Sequence, residues 1–230
     1  MKATMLIPTF KRNELLEIGL QSIRKYSDID ILILDEFGDA EEISKKFKTR
    51  YLLTKDSDCW RMPGFAFNIG AHNTDAEIII LSCPEIYHVD DCLNPMIKVV
   101  ENDPMALASP HGKDDRRNTF LKNKKSRLHT LIMRMPFLMA LRRNLFMEMH
   151  GYDEDYLGAA LDDNDFIDRL EYHGCELKMV EANCIHIFHE RKVHRGGGLH
   201  AINRKIYKSK NKQPKNFVRN KDRDWGVAYA

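Results

Sequence analysis

The chain has 230 residues, of which 43% are hydrophobic and 30% are charged, and its formal net charge is +2. These values are typical of a soluble globular protein with one large domain or two small ones. No apolar run approaches the roughly 20 residues that a membrane-spanning helix needs, so we expect no integral membrane segment.

Positive charge is concentrated near the C-terminus. Residues 190–230 contain twelve Lys and Arg against three Asp and Glu. We therefore predict a domain over residues 1–195, followed by a basic extension over 196–230. Such a segment suits an anionic acceptor, a membrane surface or a nucleic acid, and a solvated tail that aids solubility is the alternative.

The cysteines bear on the compartment. They contain no C-x-x-C pair, which favours reduced thiols in a cytoplasmic protein and argues against a zinc site. We expect a cytoplasmic protein, with the surface of a membrane as a second location for the basic extension. The five cysteines are Cys59, Cys83, Cys92, Cys175 and Cys184.

The first half of the sequence alternates short apolar runs with amphipathic segments. This alternation predicts an α/β fold: a single Rossmann-like domain with a mainly parallel central sheet flanked by helices. The predicted strands cover residues 5–7, 30–34, 51–53, 77–81 and 105–108, and the predicted helices cover 13–26, 40–47, 62–72 and 93–101.

The alternation breaks at residues 109–130, which we predict to be a basic loop with seven Lys and Arg. A loop of this length in a compact domain is typically a functional lid or a disordered segment. Beyond it we predict helices over 144–150 and 162–173, strands over 135–141, 176–180 and 184–188, and a hinge at 196–198.

Five segments, in this order and spacing over residues 3–189, resemble the GT-A glycosyltransferases of the family 2 type, which use nucleotide-diphosphate sugars. The resemblance implies the GT-A fold and the transfer of a sugar, with inversion, from a donor such as a UDP-sugar to an acceptor hydroxyl. The segments are IPTFKRNELLEIGLQSI, ILILDEFGD, RMPGFAFNIGAHNTDAEIIIL, RRNLFMEMHGYDE and LDDNDFIDRLEYHG.

The resemblance also implies a donor site. A carboxylate at the end of a strand, such as Asp35, can accept hydrogen bonds from a base or a ribose, and its alternative role is to form the turn before Gly38. The R-x-x-G-x-x-x-N pattern places Gly64 at a helix N-terminus that suits phosphate, although a structural helix start would show the same residues. The implied donor residues in these segments are Pro8, Thr9 and Phe10 in the first loop, Asp35, Arg61, Gly64 and Asn68.

The family's metal motif, Asp-x-Asp at the end of the fourth strand, is altered in this chain. Its register falls on Ser82, Cys83 and Pro84 or one residue later, so that Glu85 is the only carboxylate in place. Ser82, Cys83 and Pro84 are predicted to line the donor site. Glu85 is predicted to bind Mn²⁺ or Mg²⁺, which prefer oxygen ligands, unless the site has become independent of metal.

One carboxylate binds such an ion weakly, so we expect a histidine of the IHIFH segment to assist. His186 and His189 are three positions apart, which on a strand sends them to opposite faces. We therefore predict that only one of them reaches the metal, and we favour His189 at the end of the strand.

The segment LDDNDFIDRL predicts the catalytic base. Asp163 lies on the buried stripe of a helix, and it matches the second acid of the family's Glu-Asp motif, which deprotonates the acceptor hydroxyl. Asp162 replaces the Glu and suits the N-cap, and capping by the whole cluster is the alternative. Tyr152 and Asp153 of the HGYDE segment are predicted to contact the acceptor.

Two other functions compete with an active transferase. A nucleotidyltransferase shares this architecture but usually carries a glycine-rich loop after the first strand, which IPTFKRNE lacks. A decayed transferase could instead serve as a carbohydrate-binding or nucleic-acid-binding module without catalysis. For an active enzyme, the expected acceptor is a glycan, a lipid-linked glycan or a DNA-like polyanion.

Overall fold

The computed structural model describes residues 1–54, 62–122, 128–131, 137–158, 160–190, 198–210 and 218–228. Within these residues, strands and helices alternate through the first half of the chain. The strands are β1 (Ala3–Thr9), β2 (Asp30–Asp35), β3 (Arg50–Leu53), β4 (Ile78–Ser82), β5 (Ile86–His88), β6 (Ala106–Asp114), β7 (His129–Thr130), β8 (Leu138–Arg142) and β9 (Glu176–His186). The helices are α1 (Asn13–Ile23), α2 (Glu41–Phe47), α3 (Pro63–His72), α4 (Leu93–Asn102), α5 (Arg143–Glu148), α6 (Asp162–Tyr172) and α7 (Gly198–Lys210).

The strands form one sheet with the order β3-β2-β1-β4-β8-β6-β9-β5, and β7 pairs with β6. Parallel pairing joins β3, β2, β1 and β4, and also joins β6 to β9. Pairing is antiparallel at β8, β5 and β7. The predicted α/β class is therefore confirmed, with a sheet that is mixed rather than purely parallel.

Each face of the sheet carries its own hydrophobic core. Successive residues of a strand point to opposite faces, so that Leu6 joins the core under α3, α5 and α6 while Met5 and Ile7 join the core under α1 and α4. Both cores need apolar residues at consecutive strand positions. This need explains runs such as Ile78–Ser82, which is buried throughout.

The direction of the strands positions the site. Because β8 runs antiparallel to both β4 and β6, and β9 runs parallel to β6, strands β4, β6 and β9 share one direction with β1 and β2. Their carboxyl ends therefore lie at the same edge of the sheet. In open α/β sheets this edge is where ligands bind.

The structure corrects three predictions around this edge. The basic loop predicted over 109–130 begins later, because β6 continues to Asp114 in register with β9. The two strands predicted over 176–188 form the single strand β9, which contains an irregularity in its pairing with β6. Strand β5 and helix α7 were not predicted, since β5 has only three residues and α7 begins at Gly198, the last residue of the predicted hinge at 196–198.

The described parts of the C-terminal extension pack against the domain. Tyr207 of α7 donates a hydrogen bond to Asp168 of α6, and Asn203 bonds the backbone of Leu157 and Ala160. Farther along, the Trp225 ring lies 4.4 Å from the His72 ring. The boundary near residue 195 and the hinge at 196–197 lie outside the described residues, and the boundary stays a prediction.

Among the described residues, no helix combines the length and the apolar character that crossing a membrane requires.

Candidate functional site

A glutamate and two histidines converge where β4 and β9 end. One ligand atom each from Glu85, His186 and His189 lie within 4.8 Å of one another. Glu85 is the last residue of the short connection between β4 and β5, and its carbonyl accepts a hydrogen bond from the Ile187 amide at 2.9 Å. The pairing of β5 with β9, in which Ile86 faces His186, therefore brings the three side chains together.

The prediction that only one histidine reaches this point is wrong. Alternation between faces holds only inside a strand, and β9 ends at His186. The backbone of His189 lies beyond the strand and is free of that constraint. The two imidazole rings consequently lie with their centroids 5.1 Å apart, on the same side.

The cluster has the chemistry of a divalent-cation site. The side chains of Glu85 and His189 are 7% and 14% exposed, and Nε2 of the histidine lies 3.8 Å from Oε1 of the glutamate. Burial lowers the pKa of His189, although the charge of Glu85 opposes this, and the neutral imidazole is the form that binds metals. One carboxylate with two imidazoles fits Mn²⁺ better than Mg²⁺, which prefers oxygen ligands alone.

Arg12 is a neighbour of this cluster that the sequence analysis did not single out. Its Nη1 lies 2.9 Å from Oε1 of Glu85, and both side chains are largely buried. Arg12 follows β1 by three residues, directly after the predicted first loop. Its place in the FKRN segment, beside residues already assigned to the donor, was the available signal.

Two aspartates begin α6 at a strained turn. Ala160 and Leu161 have φ angles of 124° and 70°, a region that residues other than glycine rarely adopt. The N-cap is Leu161 rather than Asp162 as predicted. Asp162 is the first residue of the helix, and its buried carboxylate accepts a hydrogen bond from the Ala160 amide at 3.3 Å. Strain of this kind is often kept at functional sites.

Asp163 has the environment of a proton acceptor. It is half-buried, and the hydroxyl of Tyr152 donates to its Oδ1 at 3.3 Å. Burial, and then the negative charge of Asp162, raises the pKa of Asp163 above its ordinary value, while the bond from Tyr152 opposes the shift. Burial also raises the pKa of Asp162. A raised pKa brings a carboxylate closer to the basicity that a general base needs near neutral pH.

Cys83 connects the two halves of the site. Burial raises the pKa of its thiol, the negative charges of Glu85 and Asp163 raise it further, and Arg12 opposes them. The thiol therefore lies within electrostatic reach of both Glu85 and Asp163. Ser82 ends β4 and donates to the Cys83 carbonyl at 3.0 Å, and the Pro84 carbonyl lies against α1 near Gly19.

The predicted donor residues of the first loop divide between a strand and a loop. Pro8 and Thr9 belong to β1 and are buried, which corrects their placement in a loop. Phe10 is the first residue beyond the strand, and its ring meets the Phe37 ring edge-on at 5.6 Å. The ammonium group of Lys11 lies 3.9 Å from the centre of the Phe37 ring.

The Asp35 carboxylate is fully buried and its oxygens accept four hydrogen bonds. One oxygen accepts from the amides of Phe37 and Gly38 at 2.9 and 2.8 Å. The other accepts from the Ala40 amide at 2.7 Å and the Tyr51 hydroxyl at 3.1 Å. This is the arrangement of the turn-forming alternative, and binding of a donor by Asp35 stays a prediction.

Gly64 and Asn68 of α3 hold the HGYDE segment. A Cβ on Gly64 would lie 2.4 Å from the Tyr152 ring, so only glycine permits this packing. The Asn68 amide accepts from the Tyr152 backbone N–H at 2.8 Å, and donates to the Tyr152 carbonyl and to Glu154 at 2.9 Å each. Arg61 lies outside the described residues. Donor binding by Gly64 and Asn68 stays a prediction.

The two residues predicted to contact the acceptor are buried. Tyr152 is fully buried, and its ring stacks on Phe166 at 4.2 Å. The Asp153 carboxylate contacts Lys210 and lies 3.4 Å from Arg219. Tyr152 therefore reaches the site through its hydroxyl on Asp163, and acceptor contacts of either residue stay a prediction.

Comparison with known proteins gives a family match and a fold. A family model described as the N-terminal domain of galactosyltransferase matches residues 136–193, the part that contains α6 and both histidines. A sequence comparison with curated proteins gives no match.

Solved structures match over most of the chain. GalNAc-T7 with UDP, GalNAc and Mn²⁺ has a TM-score of 0.68 and 13% identity, over 93% of this chain and 50% of that one. The mannosyltransferase PcManGT from Pyrobaculum calidifontis, in complex with GDP-Man and Mn²⁺, has a TM-score of 0.61 and 14% identity, over 92% of this chain and 64% of that one. TarS from S. aureus has a TM-score of 0.61 and 14% identity, over 82% of this chain and 37% of that one.

The chain thus spans between about a third and two thirds of the length of these proteins. Together, the family match and the solved structures confirm the resemblance predicted from the sequence: the chain has the GT-A glycosyltransferase fold. They do not favour the alternatives of a nucleotidyltransferase or a binding module.

Proposed function

We propose that this protein transfers a sugar, with inversion, from a nucleotide-diphosphate donor to an acceptor hydroxyl. The observation that carries the proposal is the convergence of two chemically different groups at the end of β4. Glu85, which forms a cluster with His186 and His189, and the Asp163 carboxyl both raise the pKa of the Cys83 thiol, which directly follows β4. The proposed transfer needs both groups. The cation site neutralises the leaving diphosphate, and the base accepts the proton of the incoming hydroxyl.

In this mechanism Asp163 accepts the proton of the acceptor hydroxyl. The hydroxyl oxygen forms the new bond to the anomeric carbon, and the bond to the diphosphate oxygen breaks from the opposite face with its electron pair. The Tyr152 hydroxyl, 3.3 Å from Asp163, keeps the carboxylate oriented. A direct displacement of this kind needs no covalent enzyme intermediate, and its stereochemical outcome is inversion.

Glu85, His186 and His189 are the residues that would hold the metal. A bound divalent ion supplies neutralising charge to the leaving diphosphate. We favour manganese because two of the three ligands are imidazoles. Two proteins of the same fold were solved with Mn²⁺, which supports this choice.

We further propose a UDP-sugar donor and an acceptor that is a glycan, a lipid-linked glycan or another polyanion. One protein of the same fold was solved with UDP and another with GDP-Man, so the nucleotide has to be tested directly. The basic residues of the C-terminal extension support an anionic acceptor or a membrane-surface location. We place the protein in the cytoplasm.

A thermal-shift screen with UDP-, GDP- and dTDP-sugars, each with and without Mn²⁺, tests the proposal, because a ligand of the folded state raises the melting temperature. We expect a UDP-sugar to raise it only when Mn²⁺ is present. In assays of sugar transfer, Asp163→Asn should retain this shift and lose about 10²- to 10⁴-fold in rate, whereas exposed Asp222→Asn should match the wild type. Absence of any shift with all three donors would overturn the proposal.

A further inference from the structure

Asp114 contacts His186, one of the two histidines of the cluster. Its Oδ1 lies 3.1 Å from Nδ1 of His186, and the two side chains are 8% and 14% exposed. Asp114 ends β6 and His186 ends β9, and the two residues are direct partners in the parallel pairing of these strands. The contact is therefore fixed by the backbone of two strands rather than by a mobile loop.

An irregularity in β9 creates this pairing. Pro110 pairs with Val180, whereas the next residue, His111, pairs with Asn183. Without the two additional residues in β9, Asp114 would face Cys184 and the histidine would lie beyond the end of β6. Irregularities of this kind are common next to active sites, where they redirect a side chain.

We propose that Asp114 is a positioning residue for the metal ligand His186. Its carboxylate accepts the Nδ1–H of the imidazole, which fixes the tautomer and leaves the lone pair of Nε2 for the cation. Carboxylates in this position orient the ring and raise its basicity as a ligand. This inference rests on the metal site in the proposed function.

The other contacts of Asp114 agree with this role. Its second oxygen accepts from Nε of Arg116 at 2.9 Å, which holds the carboxylate in the orientation that serves the imidazole. The Asp114–His186 pair also lines a cavity of about 470 Å³, together with His189 and Glu190. A cation can therefore reach the imidazole through this cavity.

Titration of the purified protein with MnCl₂ by isothermal calorimetry tests the inference. Asp114→Asn keeps the size of the side chain and should weaken Mn²⁺ binding about 10- to 100-fold. His186→Ala should weaken it as well. In the His186→Ala background, Asp114→Asn should cause no further loss, because its effect acts through that imidazole.

Glu181→Gln is the matched control. Glu181 lies 3.8 Å from His111, so it forms a second, exposed carboxylate–histidine pair across the same two strands, and its loss should leave the Mn²⁺ affinity unchanged. An equal loss for Asp114→Asn in both backgrounds, or an affinity within twofold of the wild type, would overturn the inference. A wild-type protein that binds no Mn²⁺ would overturn the metal site of the proposed function as well.

A second measurement does not depend on a variant or on metal. Two-dimensional ¹H–¹⁵N spectra of the imidazoles in the metal-free protein distinguish the two neutral tautomers. We expect His186 to carry its proton on Nδ1. Observation of the Nε2–H tautomer at this residue would contradict the inference, whatever the calorimetry shows.

Discussion

Asp163 is a carboxyl group whose ionised form is disfavoured by the folded structure. It is held half-buried beside a second acid, Asp162, at a turn where two residues other than glycine have positive φ angles. Both the burial and the neighbouring charge disfavour the ionised form. Ionisation of this carboxyl is therefore less favourable in the folded protein than in water, which agrees with the proposed role of Asp163 in proton transfer.

The raised pKa of Asp163 predicts a pH-dependent effect of Asp163→Asn on stability. In the unfolded chain this carboxyl releases its proton near pH 4, whereas the folded protein retains it to higher pH. Between these values the folded state binds more protons, so stability falls as the pH rises. Asparagine does not titrate, so the variant should match the wild type at pH 4 and exceed it by about 1–2 kcal/mol at pH 8.

Urea unfolding at pH 4, 6 and 8 measures this difference. Asp222 is exposed, so Asp222→Asn should change the free energy of unfolding by less than about 0.5 kcal/mol at every pH. A stability gain of Asp163→Asn that is the same at pH 4 and pH 8 would show that the carboxyl carries no raised pKa. The variant would then be stabilised by packing alone.

At the scale of elements, sequence periodicity predicts α6 and the place of Asp163 in it, and it fails where a regular pattern ends. The apolar stripe through Phe166 and Leu170 predicts the helix and places Asp163 on its buried side. The same reasoning excluded His186 from the cluster, because it extended the alternation past the end of β9 to His189. It also missed Asp114, since pairing between β6 and β9 depends on an irregularity that no local pattern encodes.

Helix α6 is also tied to the C-terminal extension by a buried ionic group. Asp165 is fully buried, and its two oxygens accept from Nε of Arg169 and from Nη2 of Arg219, each at 2.8 Å. Arg169 is also bonded to the Gly151 carbonyl at 2.8 Å. The charged side chains of Asp165 and Arg169 on α6 thus hold both the HGYDE segment and residues 218–228 against this helix.

We expect Asp165→Asn to destabilise the protein by about 3–5 kcal/mol, because it removes the buried negative charge that pairs with the guanidinium groups of Arg169 and Arg219. Equilibrium unfolding in urea measures the change. Asp75→Asn is the control: Asp75 pairs with Lys2, but its side chain is 82% exposed, so its loss should cost less than about 1 kcal/mol. Equal effects of the two substitutions would show that Asp165 contributes no more than a surface pair.

For the molecule as a whole, the sequence predicted the α/β fold class but not the attachment of the C-terminal residues to the domain. Apolar runs and helical stripes are local signals, so the α/β class followed from them. The attachment of the last residues depends on contacts between distant parts of the chain. The composition of the C-terminal residues predicted a basic extension, yet Arg219 is buried against α6 and the Trp225 ring packs on His72.

Removal of residues 191–230 distinguishes an attached extension from an independent one. The deletion exposes the apolar surface that Trp225 covers and takes Arg219 from Asp165, so we expect a loss of several kcal/mol. For a chain of this size, each kcal/mol corresponds to roughly 2–4 °C in melting temperature, and the truncated protein should melt at least 10 °C lower.

Two point variants locate the cause of that loss within the extension. Trp225→Ala should lower the melting temperature by several degrees, since it removes an aromatic side chain that contacts the rings of His72, His150 and Phe146. Val227 lies two residues farther along with 53% of its surface exposed, so Val227→Ala should leave the melting temperature within about 2 °C. If the truncated protein and Trp225→Ala both melt with the wild type, residues 191–230 do not stabilise the domain. The attachment would then contribute nothing to the cohesion of the fold, and the extension would behave as the solvated tail that composition alone suggests.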